Sequence, residues 1–130
     1  MLTAEDILES AMYLEIISRS FSREIIKVGT GVEAVAACRN NPDIDLILMD
    51  IQMPEMNGYE AVREIRKFNP DVVIIAQTAY GLKGDREKSL ASGCNDHIAK
   101  PVKTIDLYLM VQKYFKSQDL EDIPITPPSE

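Results

Sequence analysis

The stretch LILMDIQMPEMNGYEA, residues 46–61, decides the fold class of this chain. It begins with four consecutive apolar residues, reaches an aspartate at Asp50, and passes a proline and a glycine before an amphipathic segment. An unbroken apolar run is typical of a strand that helices cover on both faces. Asn57 and Glu60 stand at capping-box spacing, which indicates the start of a helix. The stretch therefore predicts a buried strand, a loop and a helix.

The same alternation of a short apolar run and an amphipathic segment occurs five times along the chain. Such alternation predicts an α/β fold with a mostly parallel sheet. The five predicted strands are Leu2–Ala4, Glu24–Val28, Leu46–Met49, Val72–Gln77 and His97–Ala99.

The predicted helices follow from apolar residues at helical spacing and from terminal signals. The first helix should bury Tyr13, Leu14, Ile17 and Phe21, and the third Val62, Ile65 and Phe68. Thr30 with Glu33 predicts a second capping box, and Gly93 predicts a helix end. The last helix, residues 104–116, should place Ile105, Tyr108, Leu109 and Phe115 inward. That leaves an apolar surplus available to a partner, consisting of Leu107, Val111 and Tyr114.

Composition and charge limit the function classes. The formal net charge of −7 opposes binding to nucleic acid by the chain alone and to anionic membranes, because both need a basic face. No apolar run approaches the roughly 18 residues of a membrane span, and the first residues lack a signal-peptide layout. Cys38 and Cys94 have no CxxC spacing, so we expect reduced thiols. These features predict a cytoplasmic protein.

One domain is expected, because 130 residues suffice for a single core and no internal repeat is present. We predict a domain over residues 1–117. The acidic, proline-containing segment at residues 118–130 has no core of its own and is predicted to be a tail or linker stub.

Chemically active side chains follow four of the predicted strands at their carboxyl ends. They are Glu5 and Asp6 after the first strand, Asp50 after the third, Thr78 after the fourth and Lys100 after the fifth. Ligands of an open parallel sheet gather at this edge, so we expect the five side chains to converge. Carboxylates within about 5 Å repel by roughly 3 kcal/mol per pair at an effective dielectric near 20, so the cluster needs a cation or shifted pKa values.

The ligand chemistry of this cluster favours Mg²⁺ over Zn²⁺, because the candidate ligands are all oxygen atoms without paired histidines or cysteines. In such a site one carboxylate can attack phosphorus. The cation and Lys100 neutralise charge on the phosphoryl oxygens, and Thr78 offers a hydroxyl. The cluster therefore predicts phosphoryl chemistry.

Four separated motifs carry a family resemblance: AED at residues 4–6, the stretch at 46–61, AQTAY at 76–80 and DHIAKP at 96–101. In this order and spacing, the chain resembles the response-regulator receivers of two-component signalling, especially those of hybrid sensor kinases. The resemblance implies a flavodoxin-like, doubly wound parallel sheet in the order 2-1-3-4-5. It also implies a phosphoacceptor that takes its phosphoryl group from a histidine kinase or histidine phosphotransfer protein. Such a domain is no enzyme beyond its own phosphorylation and dephosphorylation.

Position by position, the resemblance implies that Asp50 is the phosphorylated residue. Asp6 and Asp50 would give carboxylate oxygens to Mg²⁺, Gln52 a backbone carbonyl, and Glu5 would act mainly through metal-bound water. Gln52 and Tyr80 stand at positions whose side chains tune the lifetime of the acyl phosphate.

The resemblance also assigns a switch. Lys100 would pair with Asp50 and then with the phosphoryl group, and the peptide bond after Lys100 should be cis. Thr78 would move toward the phosphoryl group and let His97 turn, at a position where the family usually has tyrosine or phenylalanine. The face of the fourth helix, fifth strand and fifth helix would then bind a downstream target. Gly58 is expected to take a backbone conformation that other residues resist.

Three other functions compete with this interpretation. A haloacid-dehalogenase-like phosphatase would need a second acid two residues after Asp50, where Gln52 stands. A flavodoxin-like cofactor binder would repel its flavin phosphate at Glu5 and Asp6. The alternative that remains open is a receiver-like interaction module that works without phosphorylation.

Overall fold

Strands and helices alternate throughout the part of the computed structural model that is described, residues 1–20, 22–79 and 84–115. The strands are β1 (Leu2–Ala4), β2 (Ile26–Val28), β3 (Leu46–Asp50), β4 (Val73–Thr78) and β5 (Asp96–Ala99). The helices are α1 (Leu8–Ser18), α2 (Gly31–Asn40), α3 (Gly58–Phe68), α4 (Asp85–Ser92) and α5 (Thr104–Tyr114). The sheet is parallel in the order β2-β1-β3-β4-β5, which confirms the predicted fold class. None of the helices in these ranges is long and apolar enough to cross a membrane.

Strand boundaries differ from the predicted ones by one or two residues. β2 begins at Ile26 rather than Glu24, because β1 has only three residues and pairs Leu2 with Ile26 in register. β3 extends through Asp50, which pairs with Gln77 on β4. Backbone pairing between adjacent strands therefore fixes the positions of the site residues at these ends.

Each face of the sheet carries its own apolar core. On β3, Ile47 and Met49 pack on the side of α2 and α3, whereas Leu46 and Leu48 pack on the side of α1 and α5. This division follows from the two-residue period of a strand. Because both faces are covered, the strand ends are the part of the sheet that is left for polar chemistry.

The inward face of α5 was predicted only in part. Tyr108 is buried and Phe115 packs against the core as predicted, whereas Leu109 is 56% exposed. Leu107 and Val111 lie one turn apart and pack with Val102 in the core beside α1. Two of the three residues predicted as a surplus, Leu107 and Val111, are thus core contacts of this helix. The predicted helix end at residue 116 lies outside the described residues.

The apolar positions of α1 and α3 agree with prediction in part. Leu14 and Ile17 on α1 are buried, and so are Val62 and Ile65 on α3. Tyr13 on α1, also predicted to be buried, is 41% exposed. Phe68 on α3 is partly buried against the same core. The prediction for residue 21 lies outside the described residues.

Two predicted helix signals are confirmed, and a third is confirmed in part. Asn57 and Glu60 form a complete capping box at the start of α3. The predicted box at Thr30 has one of its two hydrogen bonds, from the backbone N–H of Glu33 to the Thr30 side chain, because the Glu33 carboxylate accepts from the N–H of Gly29 instead. Gly93 ends α4 in the left-handed region, with φ +114°.

Both cysteines are buried free thiols. Burial raises the pKa of Cys38 to about 11, and burial likewise raises that of Cys94 to about 11. Neither thiol is a reactive thiolate at neutral pH.

Candidate functional site

The acidic pair after β1 combines one buried and one exposed carboxylate. The N–H of Glu5 donates to the carbonyl of Val28 at 3.0 Å, so the residue continues the ladder between β1 and β2. Its side chain is turned inward and is only 3% exposed, whereas Asp6 is exposed. The Glu5 Oε2 atom accepts a hydrogen bond from the N–H of Ile7 at 3.3 Å.

Asp50 lies at the floor of the site as the last residue of β3, and it is 2% exposed. Its Oδ1 atom accepts a hydrogen bond from the backbone N–H of Gln52 at 3.1 Å. Its Oδ2 atom lies 2.9 Å from Lys100 Nζ. The two bonds leave the carboxylate oriented by one neutral donor and one cation.

Lys100 reaches Asp50 from the far side of the site. Its backbone N–H donates to the carbonyl of Thr78 at 2.8 Å, and the following bond to Pro101 is cis, as predicted. Its Nζ atom also lies 3.1 Å from Glu5 Oε1. Burial lowers the pKa of Lys100, but the contacts with Asp50 and Glu5 outweigh burial and raise it. The ammonium is therefore retained at neutral pH.

Glu5 is the carboxyl whose charge is most perturbed by this crowding. Burial raises its pKa to about 7, and the hydrogen bond and repulsion from Asp50 act in the same direction. The Lys100 contact lowers the pKa of Glu5 but does not compensate. Near pH 7, protonation of Glu5 or binding of a cation can offset the electrostatic repulsion between Glu5 and Asp50.

The ligand atoms of Glu5, Asp6 and Asp50 all lie within 4.8 Å of one another. Glu5 Oε1 is buried, and among the described residues its polar contact is the ion pair with the Lys100 ammonium at 3.1 Å. Three oxygen donors around one point, with one oxygen buried and under-satisfied, fit a hard divalent cation such as Mg²⁺. The predicted acidic cluster is thus present. The predicted Gln52 carbonyl ligand stays a prediction.

The hydroxyl of Thr78 is buried at the carboxyl end of β4. Thr78 ends β4, is 3% exposed, and its Oγ1 atom has no hydrogen bond within the described part of the chain. A buried hydroxyl without a hydrogen bond lowers the stability of the fold by about 1–3 kcal/mol. A bound oxyanion that accepts a hydrogen bond from Thr78 would remove this penalty.

His97 occupies β5 next to the site edge. It pairs in register with Ala76, and its ring is 27% exposed. Its Nδ1 atom lies 3.9 Å from Asp96 Oδ1 and makes no hydrogen bond among the described residues. No hydrogen bond of this nitrogen within the described residues fixes the ring, and the switch role of His97 stays a prediction. The prediction for Tyr80 falls outside the described residues.

Glycine at position 58 was predicted for an unusual backbone conformation, and that reason was wrong. Gly58 is not among the residues with positive φ, whereas Glu55 in the same loop has φ +68°. Glycine is required at 58 for space, because a Cβ atom there would clash with the Asp50 carbonyl and lie 2.8 Å from the Cα of Ile51. The loop after Asp50 therefore lies directly on the backbone of the site.

Sequence reasoning did not single out two residues that the structure makes prominent. Arg66 donates five hydrogen bonds around the end of α3 and the start of β5. Gln77 is a fully buried carboxamide in β4. A polar residue directly after the apolar run at 72–76, within the same predicted strand, was the available signal for Gln77, whereas Arg66 resembled an ordinary surface charge.

A five-stranded parallel sheet with this acidic edge and its lysine defines the receiver class of α/β proteins. The chain matches the family model described as "Response regulator receiver domain" over residues 2–112. The chain belongs to this family.

Two solved receiver domains are similar in fold and sequence. The receiver of a sensor histidine kinase from Pseudomonas aeruginosa, solved with magnesium in its active-site cleft, is 38% identical with a TM-score of 0.76, covering 87% of this chain and 93% of that one. The receiver of Ssk1 from Saccharomyces cerevisiae, solved with the histidine phosphotransfer protein Ypd1, is 31% identical with a TM-score of 0.83, covering 93% and 91%.

Among curated proteins, the histidine kinase BarA of Escherichia coli is 35% identical over 100 residues, covering 75% of this chain and 11% of BarA. The regulator ZraR of Klebsiella oxytoca is 29% identical over 126 residues, covering 97% of this chain and 28% of ZraR. The chain thus spans less than a third of the length of these relatives.

Proposed function

We propose that this receiver accepts a phosphoryl group on Asp50, with Mg²⁺ held by Asp50, Asp6 and the Gln52 carbonyl, and with Glu5 acting through metal-bound water. The observation that carries the proposal is the contact of Lys100 Nζ with Asp50 Oδ2 at 2.9 Å, beside three carboxylates whose oxygens lie within 4.8 Å. A buried carboxylate that pairs with the Lys100 ammonium and lies beside a cluster of acidic residues able to hold a metal ion is suited to attack phosphorus.

The reaction is a transfer from a histidine phosphoramidate. A lone pair of the Asp50 carboxylate forms the new O–P bond while the P–N bond breaks, and its electrons return to the imidazole nitrogen. Lys100 is in place to neutralise a phosphoryl oxygen, and the Thr78 hydroxyl, which has no hydrogen bond within the described residues, can donate to another. Mg²⁺, when bound, supplies further positive charge to the transferring group.

The proposed donor is a histidine kinase or a histidine phosphotransfer protein, and α1 is its proposed contact surface. Leu8, Met12 and Ile16 form one row at four-residue spacing and are 73%, 52% and 71% exposed. The row begins next to the acidic pair Glu5 and Asp6. A donor protein that brings its imidazole to Asp50 can therefore cover both the acidic pair and the apolar row. An apolar row this exposed indicates a protein partner.

The downstream part of the proposal is a change on the α4, β5 and α5 face. Movement of Thr78 toward the phosphoryl group would free His97 to turn, and a target protein would bind the altered face. Amide NMR shifts over residues 89–108 that stay unchanged on phosphorylation would rule this out. The proposed domain is residues 1–117, followed by a linker, and the cytoplasmic location also stays a prediction.

Intact-mass spectrometry after incubation with acetyl phosphate tests the acceptor. We expect one added phosphoryl group with Mg²⁺, none with chelator, and none for Asp50→Asn. Asp45→Asn is the matched control, because Asp45 is exposed at the opposite end of β3 and should leave uptake unchanged.

The donor surface is tested by the double variant Leu8→Ser and Ile16→Ser. It should accept phosphate from acetyl phosphate at the normal rate but more slowly from any histidine donor that phosphorylates the wild type. Equal slowing with both donors would contradict the assigned surface. No uptake by the wild type under any condition would favour the interaction module that works without phosphorylation.

A further inference from the structure

One side chain of α1 is bonded to the backbone segment that follows β5. The hydroxyl of Tyr13 donates to the carbonyl of Val102 at 2.6 Å, across 89 residues of sequence. Val102 is 3% exposed and packs in the core beside α1. It stands two residues after Lys100, whose ammonium lies 2.9 Å from Asp50 Oδ2. A short piece of backbone therefore joins the Tyr13 hydroxyl to the cation of the phosphorylation site.

A cavity of about 430 Å³ lies between α1 and this segment. Tyr13 and Leu14 line the cavity from α1, and Lys100, Pro101 and Val102 line it from the other side. Close packing would hold a segment in place through many atomic contacts, but empty space supplies none. The hydrogen bond from Tyr13 to Val102 spans this space. It therefore restrains the segment on the side where packing is incomplete.

The position of the Lys100 backbone decides how far its ammonium reaches. From the side of β4, the backbone N–H of Lys100 donates to the carbonyl of Thr78 at 2.8 Å. The ammonium is shared between Glu5 Oε1 at 3.1 Å and Asp50 Oδ2 at 2.9 Å, on two different strand ends. A displacement of the backbone would change the balance between these two contacts. The Thr78 and Tyr13 hydrogen bonds thus hold the backbone from opposite sides.

We propose that Tyr13 is a positioning residue for phosphoryl transfer, because its hydroxyl holds the segment after β5 so that Lys100 stays directed at Asp50. The inference rests on the proposed function of Asp50, and it gives Tyr13 no contact with the phosphoryl group. A shift of about 1 Å in a group that acts on the reacting atoms can slow a reaction about 100-fold. Loss of one hydrogen bond permits a smaller shift, so Tyr13→Phe should slow phosphoryl uptake by about three- to tenfold.

Uptake from acetyl phosphate and from phosphoramidate, followed by intact-mass spectrometry with Mg²⁺ present, tests the role. Both donors are small and need no docking surface on α1, so Tyr13→Phe should slow the two reactions by the same factor. Mg²⁺ binding should not weaken, because neither Tyr13 nor Lys100 is a proposed ligand of the ion. Normal uptake from both donors would overturn the inference. A loss of Mg²⁺ affinity that accounts for the slower uptake would also overturn it.

Tyr114→Phe is the matched control for the loss of a tyrosine hydroxyl. The Tyr114 hydroxyl donates to the Asn95 carbonyl at 2.8 Å and lies 2.9 Å from Asp96 Oδ2, at the end of β5 away from the site. Both variants should lower the urea midpoint, but only Tyr13→Phe should slow uptake. Equal slowing by Tyr114→Phe would show that lost stability alone sets the rate, which contradicts a positioning role for Tyr13.

The NMR signal of the Lys100 ε-methylene group reports on the surroundings of its ammonium directly. This signal should shift in Tyr13→Phe and stay unchanged in Tyr114→Phe, and an unchanged signal in Tyr13→Phe would refute the link to Lys100. The wild type separates this inference from the proposed function. No uptake by the wild type would refute the proposed function and the inference together, whereas wild-type uptake that Tyr13→Phe equals would refute the inference alone.

Discussion

Replacement of Arg66 by methionine should destabilise the fold far more than a partly exposed residue on a helix normally does. The guanidinium joins α3 to the strand connections on either side of it. Its hydrogen bonds are from Nε to Gly93 O (2.9 Å), from Nη1 to Val72 O (2.6 Å), Pro70 O (3.1 Å) and Asn69 O (3.3 Å), and from Nη2 to Asn95 Oδ1 (2.9 Å). Asn95 in turn accepts from the N–H of Ile74 at 2.8 Å.

The size of the effect follows from the three shortest of these bonds. Hydrogen bonds from a charged group contribute about 1.5–3 kcal/mol each, but the contributions are not additive and the freed carbonyls regain some water. Burial lowers the pKa of Arg66, which means that the folded state also bears a desolvation penalty for the charge. Methionine retains the apolar stem. We therefore expect a loss of about 2–4 kcal/mol in the free energy of unfolding.

Urea denaturation followed by circular dichroism measures this loss. Arg63→Met is the matched control, because Arg63 is exposed on the same helix, and it should change stability by less than about 0.5 kcal/mol. If Arg66→Met also stays within that limit, the hydrogen bonds around Arg66 carry no net stability and the reasoning fails.

Three further predictions concern the site and its supports. In Mg²⁺-free buffer, the raised pKa of Glu5, about 7 against an ordinary value of 4.5, favours the protonated folded state. This stabilisation is fully present below pH 4.5 and is lost as pH rises through 7. Between those pH values the free energy of unfolding of the wild type should therefore fall by about 1–2 kcal/mol relative to that of Glu5→Gln. Urea midpoints of the two proteins that change in parallel with pH would contradict this. Gly58→Ala forces a Cβ atom against the Asp50 backbone and should cost about 1–3 kcal/mol and slow uptake from acetyl phosphate, whereas Gly29→Ala, with its nearest contact at 3.7 Å, should do neither. Asn57→Ala removes the capping box of α3 and should lower the urea-derived stability by about 1 kcal/mol, while Asn57→Asp should retain most of it.

The sequence was sufficient to predict the sheet and the site edge, because both depend on local patterns. Apolar runs mark the strands, and the acids and the lysine at the strand ends must meet once the strands are parallel. Patterns were insufficient for α5, where apolar residues on several sides allow more than one inward face and only packing against Val102 selects Leu107 over Leu109. Gly58 shows the same limit, since a requirement for space is a tertiary contact.

Long-range hydrogen bonds were beyond prediction for a related reason. Arg66 and Asn95 are 29 residues apart, and nothing local distinguishes this arginine from Arg63. That the Gln77 Nε2 atom is buried and makes no hydrogen bond among the described residues became visible only when its neighbours were placed around it. In each case the decisive partner is distant in the chain.

The burial of both thiols has a practical consequence for spectroscopy. Cys38 and Cys94 are 2% and 5% exposed, and burial raises the pKa of each to about 11, so thiol-directed probes should react with them slowly at neutral pH. A single cysteine introduced at exposed Leu109 would therefore be labelled selectively in an otherwise native chain. Fluorescent or spin labels can report on the α5 surface before and after phosphorylation, without first removing the natural cysteines.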